Sequence, residues 1–266
     1  MSLAATLTVL GCRGSTPVSG AQFARYGGAS TCCRLDFSDC TVFLDAGTGL
    51  QNQPGGISSP CHFLLSHYHV DHIYSLPLYA PLFDKSFSAD VWGSEDDGLS
   101  VLQKLDRMMS PPLWPITSAA FSAEMHFHGF SNGDTLRLSP TVSADTLKVS
   151  HPGGCTAYRI NAGGKTLVFS TDTELTDDCA AALAEFARGC DLLMLDAQYT
   201  DEEYSRCRGF GHSSWSRSLA LIEKCAPRRA LLIHHDPLRT DDELDALAAR
   251  LPENIKPASE GMVISL

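Results

Sequence analysis

At 266 residues, 44% of them hydrophobic and 19% charged, the chain has the composition of a globular protein able to bury a sizeable core, which excludes a disordered or fibrous class. Its formal net charge of -11 argues against a general nucleic-acid binder, which would present a basic face or stripe. No apolar run is long enough to span a membrane as a helix.

The 10 cysteines are scattered and form no C-x-x-C pair, so zinc-ribbon and thioredoxin-like readings lose support. Most of them read as buried free thiols of a reducing compartment.

In chain order, Thr6–Leu10 reads as a first strand running into a glycine turn. Val9-Leu10-Gly11-Cys12 imitates a lipoprotein cleavage site, but no Lys or Arg precedes it and the apolar stretch is short, so a cytoplasmic protein is expected. Cys32–Phe37, Thr41–Leu44, Phe63–Ser66, Val91–Gly93, Thr146–Ser150, Thr156–Ile160 and Thr166–Ser170 read as further strands bounded by Gly, Pro, Asn and Asp. Asn161-Ala162-Gly163-Gly164 marks a hairpin. Gly164-Lys165-Thr166 imitates the end of a phosphate-binding loop, but Arg159 stands where that motif needs glycine. The stretch from Lys104 to Asn132 is the least regular, with Pro111–Pro115 a loop packed over something by Trp114. Helices are expected over Asp177–Arg188 and Ser213–Cys225, and from the Thr240–Glu243 capping box to Arg250. Met262–Leu266 closes the chain as a strand. No linker or repeat divides it, so residues 1–266 read as a single domain with two strand-rich layers and helices outside them.

The strand Phe63-Leu64-Leu65-Ser66 runs straight into His67-Tyr68-His69-Val70-Asp71-His72. Four polar groups beside a buried strand would need four hydrogen-bond partners or cost several kcal/mol together, so a structural role explains them poorly. Residues 67 and 69 on an extended backbone point the same way and can share one metal ion, while Asp71 and His72 can face a second. Three later side chains stand at strand-to-loop junctions where they could complete the coordination: His151 after Leu147–Ser150, Asp172 after Leu167–Thr171, and His234 after Ala230–Ile233.

H-x-H-x-D-H followed by His, Asp and His, in that order across nearly the whole chain, resembles the metallo-β-lactamase superfamily. The resemblance implies an α/β (α+β) four-layer αβ/βα sandwich with metals at one edge of the two sheets. It also implies that His67, His69 and His151 hold one ion, that Asp71, His72 and His234 hold the other, and that Asp172 bridges them. Zinc is the first expectation for these two divalent ions, and manganese or iron suit the same donors. His69 stands where di-iron electron-transfer members carry Glu. His234 is preferred to His235 as the first His after its strand, and His62, His126 and His128 are set aside as ligands.

Leu195-Asp196-Ala197-Gln198-Tyr199 and Gly211-His212-Ser213-Ser214 resemble the branch containing ribonuclease Z and the cyclic-phosphate phosphodiesterases. There an acidic residue orients a catalytic His, here Asp196 and His212. Asp71 is counted with them as catalytic as well as a ligand. The reaction implied is attack of a metal-bridging hydroxide on a small, cyclic phosphodiester, with His212 stabilising or protonating the leaving oxygen. Neither the long arm nor the basic surface with which ribonuclease Z grips transfer RNA is found, so a nucleic-acid polymer is not the expected partner, nor is a membrane. Arg13 is read as a surface salt bridge in preference to a phosphate contact. The competing readings are a glyoxalase II-like thioesterase or lactonase, a tRNA 3'-processing-type endonuclease, a di-iron redox protein and a metal-binding protein without catalysis. Oligomeric state, a homodimer included, is not written in the sequence.

Overall fold

The computed structural model describes residues 5–57 and 60–266. Its first sheet collects the strands of the N-terminal half: β1 (Thr6–Gly11), β2 (Cys32–Asp36), β3 (Thr41–Leu44), β4 (Cys61–Leu64), β5 (Ser88–Ser94) and β6 (Glu124–Phe130). The second collects β7 (Thr135–Arg137), β8 (Val142–Val149), β9 (Cys155–Ala162), β10 (Lys165–Ser170), β11 (Leu192–Asp196), β12 (Arg229–Ile233) and β13 (Ile255–Pro257). A last strand, β14 (Val263–Ser265), returns to pair antiparallel with β1. The orders are β14-β1-β2-β3-β4-β5-β6 and β13-β12-β11-β10-β9-β8-β7.

Each sheet is antiparallel on one side and parallel on the other, with β3 to β6 and β10 to β13 running parallel. Parallel strands covered on both faces read as continuous apolar runs, and Leu192-Leu193-Met194-Leu195 is buried throughout. Side chains of alternating positions divide between two layers. Leu7, Leu35, Val42, Leu44 and Leu64 meet Tyr158, Ile160, Phe169, Met194 and Ile233 between the sheets. On the outer face of the first sheet, Phe43 stacks on Phe63 at 4.9 Å between centroids, beside Leu76, Leu82 and Leu105. On the outer face of the second, Val168, Leu193 and Leu232 pack with Leu183, Leu221 and Ile222. The result is the four-layer arrangement expected from the resemblance.

The helices are α1 (Val70–Ile73), α2 (Val101–Met108), α3 (Asp177–Phe186), α4 (Asp201–Cys207), α5 (Trp215–Cys225) and α6 (Asp241–Ala248). The stretch Lys104–Asn132 is more regular than the sequence suggests, since it contains most of α2 and all of β6. Ser100 and Gln103 form a capping box that opens α2, and Thr200 and Glu203 form another that opens α4. The Thr240–Glu243 box stands as expected at the start of α6. Trp114 packs edge-on against Tyr74, with centroids 6.3 Å apart. No helix among the described residues is long and apolar enough to cross a membrane.

Arg13 is neither a surface salt bridge nor open to a ligand. Its guanidinium is fully buried and donates to the carbonyls of Gly27, Asp236 and Arg239, over the face of Phe23 and 3.9 Å from Asp241. It ties the loop after β1 to the loop after β12.

All ten cysteines are free, and only Cys179 and Cys207 are partly exposed. Burial pushes the Cys12 and Cys190 thiols up to about 12 and those of Cys40 and Cys225 up to about 11, so thiolate is scarce even in mild base. A thiol reagent at pH 8 is therefore expected to label Cys179 and Cys207 at most in the folded protein and all ten cysteines in denaturant. Rapid labelling of more than two under native conditions would contradict this packing.

Candidate metal centre

The parallel strands of both sheets deliver their carboxyl ends to one edge of the sandwich, the place where open α/β sheets gather functional side chains. Asp45 follows β3, His67 follows β4 by three residues, and His151 follows β8. Asp172, Asp196 and His234 come from the ends of β10, β11 and β12. The described residues contain five non-glycine positions with positive φ: Ser15, Asp45, Asp172, Ala226 and His234. Four of them lie here. Ala226 merely ends α5. Such backbone costs ~1–3 kcal/mol per residue and persists where surrounding structure enforces it.

Two donor groups share the Asp172 carboxylate. His67, His69, His151 and Asp172 form one, Asp71, His72, Asp172 and His234 the other, each with its ligand atoms within 4.8 Å of one another. Asp172 Oδ2 lies 3.6 Å from His67 Nε2 and 3.8 Å from His151 Nε2, while its Oδ1 lies 3.1 Å from both His72 Nε2 and His234 Nε2. Asp71 Oδ2 stands 3.1 Å from His72 Nε2 and accepts from the Ser15 amide at 2.9 Å.

A surrounding tier of acceptors fixes the rings. His72 Nδ1 donates to Asp45 Oδ2 at 2.7 Å, His234 Nδ1 to Gln198 Oε1 at 2.8 Å, and His151 Nδ1 to the Gly211 carbonyl at 2.9 Å. Each bond leaves a free Nε2 facing the cluster. Ser66 Oγ donates to Asp45 Oδ2 and sits 3.0 Å from His67 Nδ1, so one buried carboxylate orients a ring of each group. Gly14 is required where it passes His234, because a Cβ there would lie 2.4 Å from Nδ1.

The donors fit a pair of divalent cations. His67 Nε2 is buried with no hydrogen-bond partner among the described residues. His151 Nε2 faces His69 Nδ1 at 3.0 Å and His72 Nε2 faces His234 Nε2 at 3.3 Å, nitrogen toward nitrogen. Burial pushes the pKa values of His67, His69 and His151 down, keeping their lone pairs available. Burial also opposes charge on His72, but Asp172, Asp71 and Asp45 outweigh it and hold its pKa well above the ordinary value. Three carboxylates around one ring call for positive charge, which a divalent ion supplies. Asp71 and Asp172 are held well below the usual carboxylate range: burial opposes this, and the neighbouring histidines outweigh it.

Beside both groups, His212 Nδ1 meets Asp196 Oδ2 at 2.8 Å, and its ring stacks on His234 at 4.8 Å. Asp172, Asp196, His212 and His234 also lie close enough to count as a donor group. Asp196 is already occupied, however, since its carboxylate accepts from the amides of Thr173, Gln198 and Ser213 as well as from His212. Burial opposes charge on His212, Asp196 outweighs it, and the pKa stands above the ordinary value. His212 precedes the Ser214 cap of α5.

The remaining histidines are engaged elsewhere. His235 donates from Nε2 to the Ala258 carbonyl, and burial pushes its pKa down to about 3. His128 pairs with Asp90 at 2.6 Å on half-exposed β6, near buried His62, and His126 lies beside Glu124.

Sequence reasoning missed Asp45, Gln198 and Glu174. Glu174 is buried and accepts from the Gly209 and Gly211 amides and the Tyr204 hydroxyl. It thereby pins the Gly211 carbonyl that holds His151, at a position where a Cβ would lie 2.2 Å from His151 Nδ1. Their partners come from distant segments, so no local spacing marks them. Glu174→Ala is expected to weaken divalent-ion binding ~10–100-fold in a competitive chelator titration while the far-UV spectrum stays native. Unchanged affinity would show that Gly211 is held without it.

The model of the beta-lactamase superfamily domain matches residues 41–235. A ribonuclease Z of Shouchella clausii (strain KSM-K16) is 23% identical, the match covering 85% of this chain and 87% of that protein. The probable metallo-hydrolase YhfI of Bacillus subtilis (strain 168) is 24% identical over 88% of this chain and 91% of its own. The crystal structure of YhfI, a metallo-beta-lactamase fold protein, superposes with a TM-score of 0.76 at 20% identity, covering 99% of this chain and 100% of that one. A diphosphatase of the PhnP family gives 0.75 at 20% identity, covering 100% and 98%. With a family model matching well over half its length and the same fold in these neighbours, the chain belongs to the beta-lactamase superfamily.

Proposed function

We propose that this superfamily hydrolase is a metal-dependent phosphodiesterase acting on a small phosphodiester. The observation that carries the reading is the His212–Asp196 pair set beside two donor groups that share Asp172. Relatives named as a ribonuclease and a diphosphatase support cleavage at phosphorus.

His67, His69 and His151 would hold one ion, Asp71, His72 and His234 the other, with Asp172 between them; zinc suits the nitrogen-rich group, and manganese or iron suit mixed nitrogen and oxygen donors. Divalent ions there supply Lewis acidity toward a phosphoryl oxygen and lower the pKa of coordinated water. The chain's own residues do the rest. Asp45, Gln198 and Gly211 keep Nε2 of three histidines turned inward. Asp196 holds the His212 Nδ1 proton and favours the charged ring, so His212 can deliver a proton from Nε2 to the leaving oxygen. Asp71 stays ionised beside His72.

The ribonuclease Z relatives favour a second reading, a tRNA 3'-processing-type endonuclease. A net charge of -11 favours the small substrate, since gripping a polymer needs phosphate-neutralising side chains.

Bis(p-nitrophenyl) phosphate should be hydrolysed by protein carrying close to two divalent ions per chain, and His212→Ala should lose ~10²–10⁴-fold in kcat with its metal content intact. An activity confined to a thioester control, or a His212→Ala variant as fast as the parent, would sink the phosphodiesterase reading. Faster cleavage of a 3'-extended transfer RNA than of any small diester would favour the endonuclease.

A further inference from the structure

Seven of the 10 histidines are accounted for: six lie in the donor groups of the metal centre, and His235 is tied to the Ala258 carbonyl. The other three, His62, His126 and His128, sit together on the first sheet. By the alternation of β4 and β6 they share the face that carries Leu64 and Phe130.

H-x-H at residues 126–128 has no Asp-His after it, so in the sequence it stands without a carboxylate. The fold supplies one from the neighbouring strand. Asp90 of β5 is registered with His62 on one side and His126 on the other, so the three form a row across β4, β5 and β6. His128 reaches diagonally to the same carboxylate, with Nε2 2.6 Å from Asp90 Oδ1. Two residues apart on an extended strand, the His126 and His128 side chains leave the sheet on the same face.

The charge of Asp90 is only half met. Trp92 Nε1 donates to His62 Nδ1 at 3.3 Å, which makes that nitrogen an acceptor. It faces Asp90 Oδ2 at 3.5 Å, and Oδ2 has no hydrogen-bond donor among the described residues. His126 makes no hydrogen bond among them either, and its Nε2 lies 3.6 Å from Glu124. These groups are open to solvent, with side chains 48% exposed at His126, 37% at His128 and 22% at Asp90. Trp92 stacks on the His128 ring at 4.2 Å and fixes its plane.

We propose that Asp90, His126 and His128 form a separate site for one divalent ion of the zinc, nickel or copper class. Two imidazoles and a carboxylate are a donor set that such ions take, with water or Glu124 in the remaining position. The site closes on its ion. The His126 and His128 ring centroids are 6.3 Å apart, against 4.5 Å for His67 and His69, and the unbonded His126 ring is free to swing inward. The ion takes the place of the proton between His128 Nε2 and Asp90 Oδ1, which part to ~3.3 Å around a tetrahedral ion with bonds of ~2.0 Å. That proton is released to solvent. Bridging β5 and β6, the ion fastens the end strand of the first sheet, which pairs on one side only among the described residues. The site is independent of the phosphodiesterase reading.

Zinc content after dialysis against micromolar free zinc tests it. The parent should retain one ion per chain more than a His126→Ala, His128→Phe double variant, and that difference is read whatever number the two-ion centre holds. Phe at position 128 preserves the stack on Trp92, and both positions are partly exposed, so the far-UV spectrum should stay native. Asp90→Asn alone should weaken the extra ion at least ~10-fold. Equal zinc in parent and double variant would overturn the proposal. Undiminished affinity in Asp90→Asn would overturn it too, since an adventitious histidine pair needs no carboxylate. Hydrolysis of bis(p-nitrophenyl) phosphate should be the same in parent and double variant. A rate that falls with the extra ion would assign that ion to the catalytic centre and end the case for a separate site.

Discussion

A carboxylate that is almost wholly buried must be compensated by positive charge or by donors, or it will not remain ionised. Asp172 sits under that constraint. One of its oxygens faces His67 and His151, the other His72 and His234, and its own backbone is held at φ 39. These rings arrive on β4, α1, β8 and β12, so the position of one side chain depends on both sheets being in register with each other. Packing between the sheets by Leu44, Leu64, Phe169 and Ile233 is what holds the strand ends where the charge needs them.

Around that charge the molecule spends much of its irregularity. Left-handed backbone at Asp45, Asp172 and His234, a glycine squeezed against His234 and another against His151 all occur within one edge. Away from it, the chain is conventional: apolar strands, three reciprocal capping boxes and an aromatic stack under the helices. The contrast is what a rigid scaffold with a strained functional edge looks like.

The sequence made most of the fold legible because its strands are short apolar runs with clear punctuation, and because H-x-H-x-D-H concentrates four donors in six residues. His151, Asp172 and His234 could be found by their common place at strand ends, and the structure brings all three to the cluster. Asp45, Glu174 and Gln198 were hidden, because a residue that orients another from a distant segment leaves no local spacing. Arg13 was misread for a related reason: a sequence shows a cation in a glycine-rich loop, but not the three carbonyls that enclose it. The α2 and α4 helices were missed although Ser100–Gln103 and Thr200–Glu203 carry the same capping signal that identified α6. They are short, and a proline-rich loop follows the first.

The donors run along the chain from His67 to His234, with the second sheet supplying His151, Asp172 and His234. During synthesis, which delivers the N-terminal part first, the histidine cluster leaves the ribosome well before the carboxylate that both groups share. An ion met at that stage would find imidazoles without Asp172 and without the acceptors that later turn them inward. Binding of two ions by these donors would therefore be a late event, since the second donor group and the shared carboxylate are complete only once the chain has been translated past β12 and the second sheet has docked on the first.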